Sequence, residues 1–303
     1  MLGLEYFTFE ELWSPMFFFF MAAIGILYFY MIGPWREKHA PEADAATRAQ
    51  KLQFLSAAVI FYLAHGGPLS LLGHLMFSFH MINMALSYLI VPPLLLMSVP
   101  AFVWKRMFAA RFWRKLRLLM NPIFTLVFFN LIFSIYHVPV VHDFVMTNFT
   151  IHRIYYFVLL VTACMMWWQI VDPVREWSRL THVKKMAYVF ANGALLTPAC
   201  ALIIFTSTPL YAMYNDPNVW IQAMGYCIPA DRAYMLSEFE GGAKFFSLVS
   251  PVEDQQIGGI VMKLVQEVMY GIILAFIFRQ WFKREHGENA EDDLTNTGTT
   301  GTA

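Results

Sequence analysis

Seven stretches of this chain are each apolar for about 20 residues or more, enough to cross roughly 30 Å of hydrocarbon as a helix. They lie near 13–34, 52–72, 79–100, 122–141, 153–172, 186–209 and 258–281. Hydrophobic residues make up 58% of the 303 and charged residues only 14%, the balance of an integral membrane protein. The expectation is an all-α, polytopic membrane helix bundle of seven transmembrane helices within residues 1–284. The second and third runs, joined around 72–78, read as a helical hairpin. The longest connection, 210–256, carries Asp216, Asp231, Glu238, Glu240, Glu253 and Asp254. A loop of that length is functional or mobile by expectation. Residues 285–303 are acidic and then Thr/Gly-rich, the composition of a disordered tail.

Charge sets the orientation. Of the 21 Lys and Arg, 17 follow the first, third, fifth and seventh runs, including Lys105, Arg106, Arg111, Arg114, Lys115 and Arg117. Arg153, Arg232, Lys244 and Lys263 are the exceptions. The positive-inside rule puts the basic side in the cytoplasm, with the N-terminus outside and the C-terminus inside. The location expected is the cell (plasma) membrane, with the lipid bilayer as solvent. Glu5, Glu10 and Glu11 precede the first run where a signal peptide would be basic, so a cleaved leader is not expected. Nucleic acid is not an expected partner, because no basic face is free of membrane duty.

This topology collects six of the nine histidines at the outer ends of the spans: His65, His74, His80, His137, His142 and His152. His39, His182 and His286 fall on the basic side. Polar groups inside a bundle are costly without a function, and imidazole is the commonest transition-metal ligand. His80, Asn83, Met84 and Ser87 share one helical face, as do Asn130, Ser134 and His137. The competing account is interhelical hydrogen bonding, which joins membrane helices for about 0.6–2 kcal/mol per pair. That account gives no reason for histidines to gather at one end.

Methionine points to the metal. Met76, Met81 and Met84 interleave with His74 and His80. Thioether sulfur suits Cu(I), and imidazole suits both copper oxidation states. Copper at an outer-facing cluster is the expectation, with His80, His137 and His65 as first ligands, His74, His142 and His152 next, and Met81 or Met84 as soft ligands. Met is also an ordinary filler of apolar helices. Haem is the alternative, since paired histidines such as His80 and His137 can bind it axially. Cys164, Cys200 and Cys227 form no C-x-x-C and read neither as a redox motif nor as a thiolate metal site. Asp254 reads as a helix cap or an oxygen ligand, and Lys263 with Glu267 as a neutralising i, i+4 pair. Pro92-Pro93 should bend the third span or leave carbonyls unpaired. No Walker A loop, G-x-S-x-G or H-E-x-x-H is present, so no catalytic residues are assigned and the chain does not read as an enzyme.

Four segments carry a family likeness: L-A-H-G-G-P-L-S-L-L-G-H (63–74), F-S-F-H-M-I-N-M-A-L-S-Y-L-I-V-P-P-L-L-L (77–96), Y-H-V-P (136–139) and E-D-Q-Q-I-G-G-I-V-M (253–262). In this order they resemble CtaG, the multi-spanning caa3-type cytochrome c oxidase assembly factor family of Gram-positive bacteria. His80 and Met81 match the family's H-M pair, His137 its H-x-P element, and Asp254, Gln255 and Gln256 its D-Q-Q. The resemblance implies a role in forming active haem-copper oxidase, by binding or delivering copper. Its partners would be oxidase subunits and other copper-handling proteins. A metal-independent chaperone of an oxidase subunit is the remaining alternative.

Overall fold

Helix boundaries along this chain fall at capping residues and prolines. The computed structural model describes residues 3–110 and 119–297, with side chains through 285. A short helix, Phe9–Trp13, starts at a Thr8/Glu11 capping box and leads into α1 (Pro15–Tyr30). The helical path continues to His39, kinked at Gly33 ahead of Pro34. A second capping box, Thr47 with Gln50, opens α2 (Arg48–His65). After Gly66-Gly67 the chain restarts as α3 (Pro68–Leu75), bent 41° from α2. Extended Met76 leads into α4 (Phe77–Ser98). Asn121 caps α5 (Pro122–Tyr136), and α6 (Pro139–Met146) follows at 77°. Then come α7 (Phe149–Val171), α8 (His182–Phe205), α9 (Pro217–Met224) and α10 (Pro251–Thr297).

Among the described residues, five helices are long and apolar enough to cross a membrane: Phe9–His39, Phe77–Ser98, Phe149–Val171, His182–Phe205 and Pro251–Glu285. The α2–α3 and α5–α6 pairs raise the number to seven if each bent pair is one span. The expected second and fourth spans therefore each break into a long helix and a short one. Both breaks precede a proline. The residue before proline is pushed out of the helical region, and Val138 is extended accordingly (φ −68°, ψ 125°).

The last helix starts at Pro251 rather than near 258 and continues to Thr297. Over residues 285–297 it is helical where the composition suggested disorder; the Glu and Ala that lower hydrophobicity there are also good helix formers. Residues 298–303, and Arg111, Arg114, Lys115 and Arg117 of the basic loop, lie outside the described residues. The long connection is folded. It holds 3-10 turns at Ala212–Tyr214, Ala230–Glu238 and Gly242–Phe245 beside α9. Fully buried Trp220 anchors it, donating Nε1–H to the His74 carbonyl at 3.2 Å.

Pro92-Pro93 do not break α4. A wider turn at Leu86–Ile90 precedes them. Pro92 has no N–H for the Tyr88 carbonyl four residues back, and Trp167 of α7 supplies one, Nε1 to O at 2.9 Å. The polar stripes point inward. Asn130 donates to Asn192 at 2.9 Å and Thr125 meets Tyr188 at 3.0 Å. Lys263 pairs with Glu267 at 2.6 Å and donates to Thr197 at 2.8 Å.

Candidate metal site at one end of the bundle

The two proline breaks assemble the histidines. His65 ends α2 and His74 lies on α3; His137 caps α5 and His142 lies on α6. Each short helix carries its histidine back over the end of the bundle. There they meet His80, on the first turn of α4, and His152, on the first turn of α7. The approach of α3 to α4 is close: a Cβ on Gly73 would lie 2.9 Å from Asn83 Nδ2 and 3.4 Å from His80 Cα.

Three imidazoles form an inner group. His80, His137 and His142 are at most 2% exposed. Ring centroids stand 5.1 Å apart for His80–His142 and 6.3 Å for His80–His137. An ion about 2 Å from each coordinating nitrogen sets ring centroids about 5–6 Å apart. The Nδ1 of His137 meets the Phe133 carbonyl at 2.8 Å, and that of His142 meets Asp143 at 3.4 Å. Such partners fix the ring and leave Nε2 with its lone pair, the arrangement that metal-binding histidines use. All three Nε2 atoms are buried without a hydrogen-bond partner, as is that of His152. A polar atom buried this way costs about 1–3 kcal/mol unless a water or an ion takes the lone pair. As placed, no three His, Cys, Asp or Glu side chains among the described residues close on a single metal point.

The rest of the wall is aromatic. Tyr136 stacks on His80 with centroids 5.6 Å apart, and Tyr211 lies 4.5 Å from His142. Segment 211–214 closes the site. Asp143 accepts the backbone N–H groups of Ala212 and Met213 at 2.9 and 3.2 Å. Tyr211 donates to the His137 carbonyl at 3.0 Å and Tyr214 to the Gly73 carbonyl at 2.7 Å.

The other histidines border a cavity of about 300 Å³, lined by His65, His74, His80, His152 and Cys227 among others. His65, a first-choice ligand by sequence, is instead bonded to Ser87, Nε2 to Oγ at 2.8 Å. His142, ranked lower, belongs to the inner group. Met81 packs toward α10, where a Cβ on Gly258 would lie 3.0 Å from its Cγ. Met84 is buried in the core. The methionine at the cavity is Met146, whose sulfur accepts from Tyr136 Oη at 3.3 Å.

Asp254 is a cap, but for another helix. Its carboxylate accepts the Phe77 and Ser78 amides at the start of α4, at 2.6 and 3.3 Å. Gln255 accepts from Leu210 N at 2.8 Å, and Gln256 donates to the Thr206 carbonyl at 3.0 Å. Cys227, dismissed on spacing, lies against His74. Burial pushes its thiol up, yet His74 and Arg153 outweigh burial and the net direction is down. No local pattern around G-Y-C-I-P signals this, because α9 and the turn after it bring the cysteine over α3.

Residues 26–284 match the family described as cytochrome c oxidase caa3 assembly factor. No curated protein and no solved structure matches the chain.

Proposed function

Because the chain belongs to the caa3 cytochrome c oxidase assembly factor family, we propose that it serves assembly by holding copper as cargo at His80, His137 and His142 and passing it to an oxidase subunit. The observation that carries this reading is the set of three buried Nε2 atoms with no partner. Neutral imidazoles in an aromatic, water-poor wall suit a soft or borderline ion. The chain would turn over no substrate. In this reading the N-terminus and the histidine end face outward from the plasma membrane and the C-terminus lies in the cytoplasm, an orientation that the Lys and Arg distribution supports.

Haem fits less well. An axial pair needs a flat slot between the rings, yet the cavity borders His80 and not His137. His142 also crowds His80, with ring centroids 5.1 Å apart. The metal-independent chaperone draws support from the absence, among the described residues, of a closed three-ligand cage.

Metal analysis of the purified protein separates these readings. Wild type is expected to carry copper, and a His80→Ala/His137→Ala/His142→Ala variant that still accumulates is expected to lose it together with copper loading of the oxidase. Full oxidase activity with that variant would establish the chaperone and overturn the copper reading. A Soret band with stoichiometric iron would establish haem.

A further inference from the structure

The same end of the bundle holds a second group of soft and borderline ligands that the inner imidazoles do not use. The Cys227 thiol lies against the His74 imidazole, and both border the cavity. His74 Nδ1 is engaged by the Ser70 carbonyl at 2.9 Å, so Nε2 is the ring nitrogen left to coordinate. His152 stands 5.8 Å from His74, centroid to centroid, with its own Nε2 buried and unpartnered. All three border the 300 Å³ cavity, and His80 forms part of the same wall. Glu10 and Glu11 also border it, and Glu11 is held in place by Arg232 at 2.7 Å.

We propose that Cys227, His74 and His152 form a separate, thiol-containing site for Cu(I), adjoining the inner imidazoles through the cavity wall at His80. The proposal rests on the reading of copper as cargo but concerns different ligands. A thiol beside an imidazole, with a second bare imidazole nearby, is a donor set for a soft monovalent ion. Cu(I) is held by as few as two ligands, so the Cys227–His74 pair suffices, and His152, 5.8 Å from His74, is a third that has to close on the ion. Charge argues the same way. The thiol proton leaves to water as the Cu–S bond forms, and a thiolate with Cu(I) sums to zero. A divalent ion there would bury a net positive charge beside Arg153, which also borders the cavity. The carboxylates of Glu10 and Glu11 place negative charge where a cation would arrive.

The test uses the full chain in detergent under anaerobic conditions. Cu(I) is added with bicinchoninate as competitor, and alkylation by N-ethylmaleimide is read cysteine by cysteine by peptide mass spectrometry. Cu(I) is expected to protect Cys227 in wild type while Cys164 and Cys200 are unchanged. Cys227→Ser is expected to remove the sulfur scatterer from the copper X-ray absorption spectrum and to weaken Cu(I) retention by about 10-fold or more. The His80→Ala/His137→Ala variant is expected to keep Cys227 protected. Alkylation of Cys227 that ignores Cu(I) overturns the proposal even if the inner imidazoles bind copper. Protection by Zn(II) and not by Cu(I), or loss of protection in His80→Ala/His137→Ala, also overturns it. Protection of Cys227 with no copper at the inner group leaves this site standing and sinks the proposed function.

Discussion

Asp254 Oδ2 accepts the backbone N–H of Phe77 at 2.6 Å, so a residue on the last helix caps the helix that carries His80. The contact joins elements 177 residues apart in the chain and sets the height at which α4 begins. Removing it leaves buried amides bare. Asp254→Ala is expected to destabilise the protein by about 1–3 kcal/mol, read as a lower Tm in detergent, with reduced accumulation in the membrane. Asp254→Asn keeps one acceptor and should recover part of that loss. Equal Tm for wild type and Asp254→Ala would refute the cap.

Trp167 compensates for Pro92. Trp167→Phe fills most of the space but removes the donor to the Tyr88 carbonyl. The expected cost is again about 1–3 kcal/mol, measured by thermal unfolding. A double variant with Pro92→Ala restores a backbone donor and should lose much less than the sum of the two single changes.

Gly73 controls how closely α3 lies on α4. Gly73→Ala places a methyl 2.9 Å from Asn83 Nδ2 and 3.4 Å from the His80 backbone, so the Asn83 amide must give way, at the expense of its hydrogen bond to the Leu69 carbonyl. Oxidase activity in cells is expected to fall. Gly25→Ala is the control, since nothing lies within 4 Å of its Cβ position. Similar losses from both substitutions would mean that helix propensity or lipid contact, rather than packing at the site, is responsible.

His65 and His142 exchange rank relative to the sequence reading. His65→Ala removes the hydrogen bond to Ser87 and is expected to lower stability by about 1 kcal/mol while copper content holds. His142→Ala is expected to lower copper content with little change in folding. The reverse pattern, measured by metal analysis and Tm on the same samples, would return His65 to the ligand set.

Asp143 holds the closing segment. Asp143→Ala frees the amides of Ala212 and Met213 and removes the partner of His142. Limited proteolysis is expected to cut faster between 208 and 216 in the variant than in wild type. Unchanged cleavage would show that the tyrosine contacts alone keep the segment shut.

The apolar runs were legible because their period and length admit little else in lipid. The inward direction of Asn130 and the Lys263–Glu267 pair were legible for the same reason. Spacing rules act along one helix, however, and the site is made by contacts between helices. Nothing near His65 reveals Ser87 as its partner, and nothing near Asp254 reveals that it caps α4. The place of Cys227 beside His74 was invisible because the two are far apart in sequence. Pro68 and Pro139 were the local signals available. Each marks the break that carries a histidine over the bundle.

The break at His137 also sets a depth. The α5 helix has 15 residues, about 22 Å of rise, against a hydrocarbon thickness of about 30 Å. A helix of that length that starts at one interface ends beneath the opposite headgroups rather than among them. Under the proposed function, a molecule that exchanges a ligand with His137 meets it below the water line, in surroundings that favour donors and acceptors already dehydrated.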